Sequence, residues 1–238
     1  MTRNKLIVAL DFPTLQEARR CVLTCAETVH YYKVGMELYY AAGNEIIAFL
    51  KEHQKQVFLD LKLQDIPNTV SRAVRILTRL GVDMINVHAS GGLKMMQAAR
   101  QSMQEQVQTL GITPPKLIAV TVLTSMDETE FEVLNYKTSV AEQVVSLAKL
   151  AKQAGLDGVV ASPQEAAGIR QACGDDFLIV TPGVRPLGED TQDQRRITTP
   201  AQAIKNGADY IVVGRPITQA ADPQAVARAI EQEINFKK

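Results

Sequence analysis

Three charged residues at a fixed spacing, Asp60, Lys62 and Asp65, carry the clearest chemical meaning in the sequence. Asp60 and Lys62 are separated by one residue, Leu61, at the end of an apolar run, residues 57–61, so an extended strand directs both side chains to one face. Neighbouring carboxylates favour the charged form of an amine. We therefore expect Lys62 to stay protonated and to act as an electrostatic stabiliser and proton donor, because a protonated amine is a poor Schiff-base nucleophile.

An Asp-x-Lys pair by itself is more often part of a structural ion-pair network than of an active site. Here the pair ends a strand-like run, and Lys33, which ends an earlier run, supplies a second cation. Charges that continue buried strands are costly unless they are paired. The position and the extra partners favour a functional charge network.

Eight apolar, β-rich runs alternate with helical patterns along the whole chain. Their Val, Ile and Leu content is typical of parallel strands that are covered by helices. They span residues 5–10, 31–34, 57–61, 84–88, 117–122, 158–161, 178–181 and 210–213. The pattern predicts an α/β protein, a (β/α)₈ TIM barrel that forms one domain over residues 1–238. The alternative, a doubly wound open sheet, lacks its Gly-x-Gly-x-x-Gly turn after the first strand.

Capping residues predict where several helices begin and end. A hydroxyl three residues before an acid or amide predicts a helix start, and the pairs are Thr14 with Glu17, Ser162 with Glu165, and Thr199 with Gln202. A glycine directly before an x-Asp and a strand predicts a left-handed helix end, at Gly81, Gly155 and Gly207. The cysteines, Cys21, Cys25 and Cys173, are expected to be buried thiols.

Polar groups follow most of the predicted strands, at the end of a barrel where function collects. They are Asp11, Lys33, Asp60, Lys62, His88, Thr124, Gly214 and Arg215. Gly214 and Arg215 follow the eighth strand, where such barrels often bind phosphate through backbone N–H groups. The long charged loop at residues 182–196 contains Arg185 and Gln194 and is expected to be a lid or binding loop. His88 is expected to have a supporting role only.

Overall charge and hydropathy indicate a small-molecule ligand. Lys plus Arg equals Asp plus Glu at 26 each, so no net field favours nucleic acid or an anionic membrane. No apolar run approaches the roughly 20 residues of a membrane span, and the N-terminus lacks a signal-peptide pattern. We expect a cytoplasmic protein with no nucleic-acid or membrane partner.

The chain resembles the bacterial orotidine 5′-phosphate decarboxylase family over essentially its whole length. The matching stretches lie at residues 8–11, 33–35, 58–69, 86–88, 121–125, 181–185 and 213–215, and the Asp-x-Lys-x-x-Asp element at Asp60, Lys62 and Asp65 is the most specific. Gln64 stands where many members of the family carry histidine. The resemblance implies decarboxylation of orotidine 5′-phosphate to uridine 5′-phosphate in pyrimidine biosynthesis, with no metal and no organic cofactor.

The resemblance also implies a role for each matching residue. Lys62 would protonate C6 of the pyrimidine, and Asp60 would hold Lys62 and face the departing carboxylate. Lys33 and Asp11 would bind the ribose, and Thr124 and Ser125 the pyrimidine edge. Arg185, Gln194, Gly214 and Arg215 would bind the phosphate, and Pro182 would contact the substrate. Asp65, Ile66 and Thr69 would reach the neighbouring site of a homodimer with shared active sites.

Two other functions remain open on the sequence alone. Magnesium-dependent sugar-phosphate decarboxylases and synthases of the same suprafamily share the Asp-x-Lys-x-x-Asp element, but carry a metal-binding acid where this chain has Lys33. A cation beside Asp60 would repel magnesium. The third possibility is a catalytically silent barrel that only binds nucleotide, in which we would expect one of Asp60, Lys62 and Asp65 to be missing.

Overall fold

The structure is a computed structural model that describes residues 5–186 and 198–235. Its strands are β1 (Leu6–Ala9), β2 (Tyr31–Gly35), β3 (Gln56–Leu63), β4 (Met84–His88), β5 (Lys116–Val120), β6 (Gly158–Val160), β7 (Leu178–Thr181) and β8 (Tyr210–Val213). All neighbouring pairs are parallel, and the strands close into a barrel in chain order. The predicted single-domain (β/α)₈ barrel is confirmed.

The helices cover the outside of the barrel. They are α1 (Leu15–Thr24), α2 (Met36–Ala42), α3 (Asn44–Glu52), α4 (Pro67–Thr78), α5 (Leu93–Leu110), α6 (Glu128–Val133), α7 (Val140–Gln153), α8 (Ala166–Cys173), α9 (Pro200–Lys205), α10 (Arg215–Thr218) and α11 (Pro223–Asn235). A 3₁₀ turn, Ala89–Gly91, follows β4. Within the described ranges, no helix has both the length and the apolar character that crossing a bilayer requires.

The core has two layers because each strand alternates its side chains. One face of the strands fills the barrel interior, with Ile7, Tyr31, Phe58, Met84, Ile118, Leu178 and Tyr210 among the buried residues. The other face packs against the helices in a larger apolar layer. Cys21, Cys25 and Cys173 are buried free thiols, as predicted.

Two of the three predicted N-caps are confirmed. The hydroxyl of Thr14 accepts from Glu17 N at the start of α1, and that of Thr199 accepts from Gln202 N at the start of α9. The prediction for Ser162 was wrong. Its hydroxyl accepts from Gln164 N within a turn, and α8 begins only at Ala166, because the chain makes this extra turn between strand and helix.

The three Gly-x-Asp helix ends share an interaction in which the aspartate side chain joins two neighbouring strands. Each glycine has the positive φ that was predicted. Each following aspartate precedes an even-numbered strand and accepts the backbone N–H near the start of the preceding odd-numbered strand: Asp83 from Val57, Asp157 from Leu117 and Asp209 from Ile179, at 2.7–2.9 Å. A cation from a helix completes each contact, Lys51, Arg100 and Arg170 respectively. The repeat is structural and lies at the end of the barrel opposite the charged strand ends.

Candidate active site

A cavity of about 310 Å³ opens at the C-terminal ends of the strands. Most of the predicted site residues line it, which are Asp11, Lys33, Asp60, Lys62, Thr124, Ser125, Pro182, Arg185, Gly214 and Arg215. Apolar side chains form the rest of the wall, including Phe58, Val120, Val122, Leu123, Val160 and Val212. Charges in such a partly apolar cavity interact more strongly than they would in water.

Four charged residues of alternating sign form a chain across one wall of this cavity. Nζ of Lys33 lies 3.0 Å from Oδ1 of Asp11 and 3.4 Å from Oδ2 of Asp60. The other carboxylate oxygen of Asp60, Oδ1, lies 2.8 Å from Nζ of Lys62. Asp60 is therefore held between two ammonium groups, and Lys62 ends the chain. Strands β1, β2 and β3 are neighbours in the barrel, and this order places the four groups side by side.

The charge network keeps Asp60 and Lys33 ionised although both are buried. Burial alone would raise the pKa of Asp60, but the charges of Lys33 and Lys62 outweigh it and the pKa lies below its ordinary value. Burial would lower the pKa of Lys33, but Asp60 and Asp11 outweigh it and the pKa is raised. At neutral pH Asp60 and Lys33 therefore present a fixed pair of opposite charges.

Asp60 and Lys62 are in contact, as predicted. The regular alternation of an extended strand, on which the prediction rested, does not continue through Lys62. Lys62 has a φ of +53°, and the register between β3 and β4 shifts between Leu59 and Leu63. This irregularity turns the end of β3 and brings Lys62 Nζ back toward Asp60. The sequence predicted the pairing correctly, although the backbone reaches it through a bulge.

Asn86 is a buried polar contact of this network to which sequence reasoning assigned no role. It lies in β4, is fully buried, and donates from Nδ2 to Asp60 Oδ1 at 2.6 Å. Its Oδ1 accepts the backbone N–H of Lys62 at 2.8 Å. An amide inside the apolar run Met84–His88 was the available signal, since a buried amide needs partners.

Gly35 is a second residue whose importance was missed. A β-carbon at this position would lie 3.0 Å from Lys33 Nζ and 3.2 Å from Asp11 Oδ1. The glycine at the end of β2 therefore leaves the space in which the ammonium group of Lys33 meets Asp11. Sequence showed the glycine, but only the fold shows that its missing side chain faces these two charges.

Arginines that follow two other strands, β7 and β8, line a further part of the cavity. Arg215 is the first residue of α10, directly after Gly214. Arg185 follows β7 and is largely buried, and its backbone N–H donates to Thr198 O at 3.1 Å. Two guanidinium groups beside a strand-end glycine form a wall that suits an anionic group such as phosphate. Gln194 lies outside the described residues.

Asp65, Ile66 and Thr69 do not line the cavity within the chain. They lie where α4 begins, and Asp65 Oδ1 accepts the N–H of Ile66 at 2.6 Å. The side chain of Ile66 is 66% exposed, although it is apolar. These residues therefore face outward from the barrel wall that carries Lys62.

His88 ends β4 close to the charge network. Burial and the charge of Lys62 hold its pKa below the ordinary value. The imidazole is therefore neutral near pH 7, which makes it a weak candidate for the proton donor. Lys62 remains the cation at the open end of the charge chain.

Comparison with known proteins gives consistent matches over nearly the whole chain. The sequence model of the "Orotidine 5'-phosphate decarboxylase / HUMPS family" matches residues 4–230. Proteins named orotidine 5'-phosphate decarboxylase from Moorella thermoacetica and Streptococcus pneumoniae are 52% and 53% identical, and the alignments cover 99% and 98% of this chain and 94% and 97% of theirs. The crystal structure of orotidine 5'-phosphate decarboxylase from Lactobacillus acidophilus superposes with a TM-score of 0.86 at 41% identity, covering 98% of this chain and 100% of that one.

Proposed function

The chain belongs to the orotidine 5'-phosphate decarboxylase / HUMPS family, and we propose that its cavity converts orotidine 5′-phosphate to uridine 5′-phosphate and carbon dioxide with Lys62 as proton donor. The observation that carries this proposal is the alternating chain of Asp11, Lys33, Asp60 and Lys62 at the cavity wall. Relatives that share half of the sequence bear the decarboxylase name.

The reaction requires electrostatic help because of where its electron pair is left. When the C6–carboxylate bond breaks, carbon dioxide leaves and the pair remains on C6 in the plane of the ring, where the carbonyl groups cannot delocalise it. A fixed ammonium group beside C6 stabilises that charge, and it needs no reorganisation when the charge forms. Lys62 then gives its proton to C6, and the neutral amine regains a proton from solvent.

Asp60 has two parts in this proposal. It holds Lys62 at 2.8 Å, and its ionised form faces the substrate carboxylate, so that the loss of carbon dioxide relieves a repulsion between like charges. Lys33 keeps Asp60 ionised from the other side. The apolar side chains of the cavity wall lower the local dielectric and so strengthen the interactions of these charges.

The remaining cavity residues bind the rest of the nucleotide. Lys33 and Asp11 bind the ribose hydroxyls, and Thr124 and Ser125 bind the polar edge of the pyrimidine. The phosphate lies against Pro182, Arg185, Gly214 and Arg215, and Gln194, which is outside the described residues, is expected to bind it too. Because the phosphate is remote from C6, its binding energy can be used to close the site and so to raise turnover as well as affinity.

We further propose that two copies of the chain form a homodimer with shared active sites in the cytoplasm. Asp65, Ile66 and Thr69 belong to the matching stretch that contains the Asp-x-Lys-x-x-Asp element, yet within the chain they do not line the cavity. The exposed side chain of Ile66 is suited to burial in an interface. In the dimer these residues complete the partner's site.

The magnesium-dependent alternative is disfavoured by Lys33. Its ammonium group lies 3.4 Å from Asp60, where the related metal enzymes have a second acid, and a cation there opposes a divalent ion. The test is an absorbance assay with orotidine 5′-phosphate in the presence of EDTA. We expect full activity. Activity that disappears on chelation and returns with added magnesium would overturn the cofactor-free mechanism, and no activity in either condition would overturn the function.

A further inference from the structure

Asn86 contacts both members of the Asp60–Lys62 pair, and it does so through two different groups. Its amide nitrogen donates to Asp60 Oδ1, the same oxygen that accepts from Lys62 Nζ. Its amide oxygen accepts the main-chain N–H of Lys62. One side chain thus fixes the carboxylate of Asp60 and the backbone that carries Lys62.

Asparagine is the residue type that this position demands. The ionised Asp60 needs a hydrogen-bond donor, and the N–H of Lys62 needs an acceptor. The nitrogen and the oxygen of a single side-chain amide supply both. An ionised aspartate at position 86 could accept but could not donate, and an aliphatic residue could do neither. The buried amide also selects the charged form of Asp60, since a protonated carboxyl has less use for a donor.

The backbone of Lys62 gives this contact a further consequence. A non-glycine residue at a φ of +53° is held there at some cost, so its surroundings must stabilise it. The register of β3 and β4 shifts at this point, and the N–H of Lys62 bonds to the side chain of Asn86. The direction in which the side chain of Lys62 points from β3 therefore depends on Asn86 in β4.

We propose that Asn86 is a positioning residue for the decarboxylation, which orients the Asp60 carboxylate and the Lys62 ammonium group toward the reacting carbon. The inference rests on the proposed function. It predicts that Asn86 affects turnover more than substrate binding, because Asn86 does not line the cavity and acts only through residues that do.

The first experiment replaces the amide by an apolar group of similar size. Asn86→Leu is expected to lower kcat about 100-fold, the effect of misplacing a catalytic group by about 1 Å, with KM changed less than about threefold. The matched control is Thr78→Val, which removes another fully buried hydrogen bond, from Thr78 Oγ1 to Val74 O, away from the site. Thermal unfolding of both variants measures their loss of stability, and the control should keep wild-type kcat.

The second variant, Asn86→Asp, keeps the shape and tests the donor itself. When the introduced carboxyl is protonated it can donate to Asp60 and accept from Lys62 as the amide does. When it ionises, it loses the donor and repels Asp60. The charged and titratable groups around this position are Asp60 and Lys62 from β3, Lys33 from β2, Asp11 after β1 and His88 from β4. All are present in the wild type, so the ratio of variant to wild-type kcat cancels their own titration to first order.

We expect this kcat ratio to fall as the pH rises through the range in which the introduced carboxyl ionises. A ratio that does not change with pH, or an Asn86→Leu variant whose kcat matches that of Thr78→Val, would overturn the positioning role. If Asn86→Leu does not fold, the pH dependence of Asn86→Asp decides. A wild-type protein without activity would instead contradict the proposed function.

Discussion

A β-carbon placed on Gly35 would lie 3.0 Å from the ammonium nitrogen of Lys33. Such a contact is tighter than a carbon and nitrogen tolerate without adjustment, so the lysine would have to move by a few tenths of an ångström. Lys33 is the centre of the charge chain, since it contacts both Asp11 and Asp60. The lack of a side chain at Gly35 thus leaves Lys33 free to contact both carboxylates.

Gly35→Ala is expected to lower kcat/KM about tenfold, since displacement by a fraction of an ångström costs less than the ~100-fold that accompanies about 1 Å. The φ of Gly35 is −88°, so alanine fits the backbone and the fold should be retained. Steady-state kinetics check the prediction. Gly168→Ala is a suitable comparison, because its added carbon would make only an ordinary contact, 3.5 Å from Val145. Equal kcat/KM of the two variants would show that a small displacement of Lys33 does not affect the reaction.

Lys62→Ala is expected to abolish turnover, by at least about 1,000-fold, the upper range for removal of one preorganised charge-stabilising donor. The variant should fold, because Asp60 keeps Lys33 and Asn86 as partners. Circular dichroism and the absorbance assay check the two statements. Lys116→Ala is the control. It removes a lysine at the start of β5, at the end of the barrel away from the cavity, and should keep full activity. Normal turnover without Lys62 would end the proposed mechanism.

Asp60→Asn is expected to destabilise the fold by about 3 kcal/mol at neutral pH, since it leaves two ammonium groups without their shared buried anion. The folded-state pKa of Asp60 is lowered, so its stabilisation is present above the unfolded pKa of about 3.9 and is lost as the pH falls through the folded pKa. The difference in unfolding free energy between variant and wild type should therefore narrow below about pH 4. Denaturant titrations from pH 7 to 3 measure it, with the exposed Asp175→Asn as control. If the difference in unfolding free energy between variant and wild type does not change with pH, the ionised Asp60 does not stabilise the fold through Lys33 and Lys62.

Arg215→Ala is expected to weaken substrate binding and to lower kcat/KM, because charge-assisted hydrogen bonds contribute roughly 1.5–3 kcal/mol each. Added guanidinium should restore part of the loss by occupying the vacated position. Arg75→Ala, which breaks a surface pair with Glu105, should show neither the loss nor the rescue. If Arg215→Ala handles substrate like the wild type, the phosphate binds elsewhere.

A mixture of Lys62→Ala and Asp65→Asn is expected to regain about a quarter of wild-type activity after dissociation and reassociation. Random pairing makes about half of the dimers mixed, and in each of these one site combines a normal Lys62 with a normal Asp65. Mass spectrometry under native conditions verifies the exchange of subunits. Activity equal to the mean of the separate variants would mean that Asp65 acts within its own chain.

The barrel and most of the cavity lining could be predicted because strand ends converge at one rim. Lys33 and Asp60 lie within β2 and β3, Asp11 and Arg215 follow β1 and β8, and the closed parallel order brings them together. The amide of Asn86 stood out in an apolar strand, but its partners could not be foreseen, since its bond to the N–H of Lys62 lies where the register between β3 and β4 shifts. Likewise the helix predicted to begin after Ser162 starts later, because its hydroxyl caps a local turn instead.

Three aspartates at the rim opposite the cavity tie six of the eight strands into pairs, β3 with β4, β5 with β6 and β7 with β8. Asp83, Asp157 and Asp209 each fasten the first strand of a pair through a main-chain N–H. Opening one strand of such a pair breaks the hydrogen bond between the aspartate and the main-chain N–H, whereas separation between pairs leaves these three hydrogen bonds intact. We therefore expect partial unfolding to proceed by whole βαβ units. In native-state hydrogen exchange, the amide protons of Val57, Leu117 and Ile179 would then each report the opening of one such unit, independently of the catalytic rim.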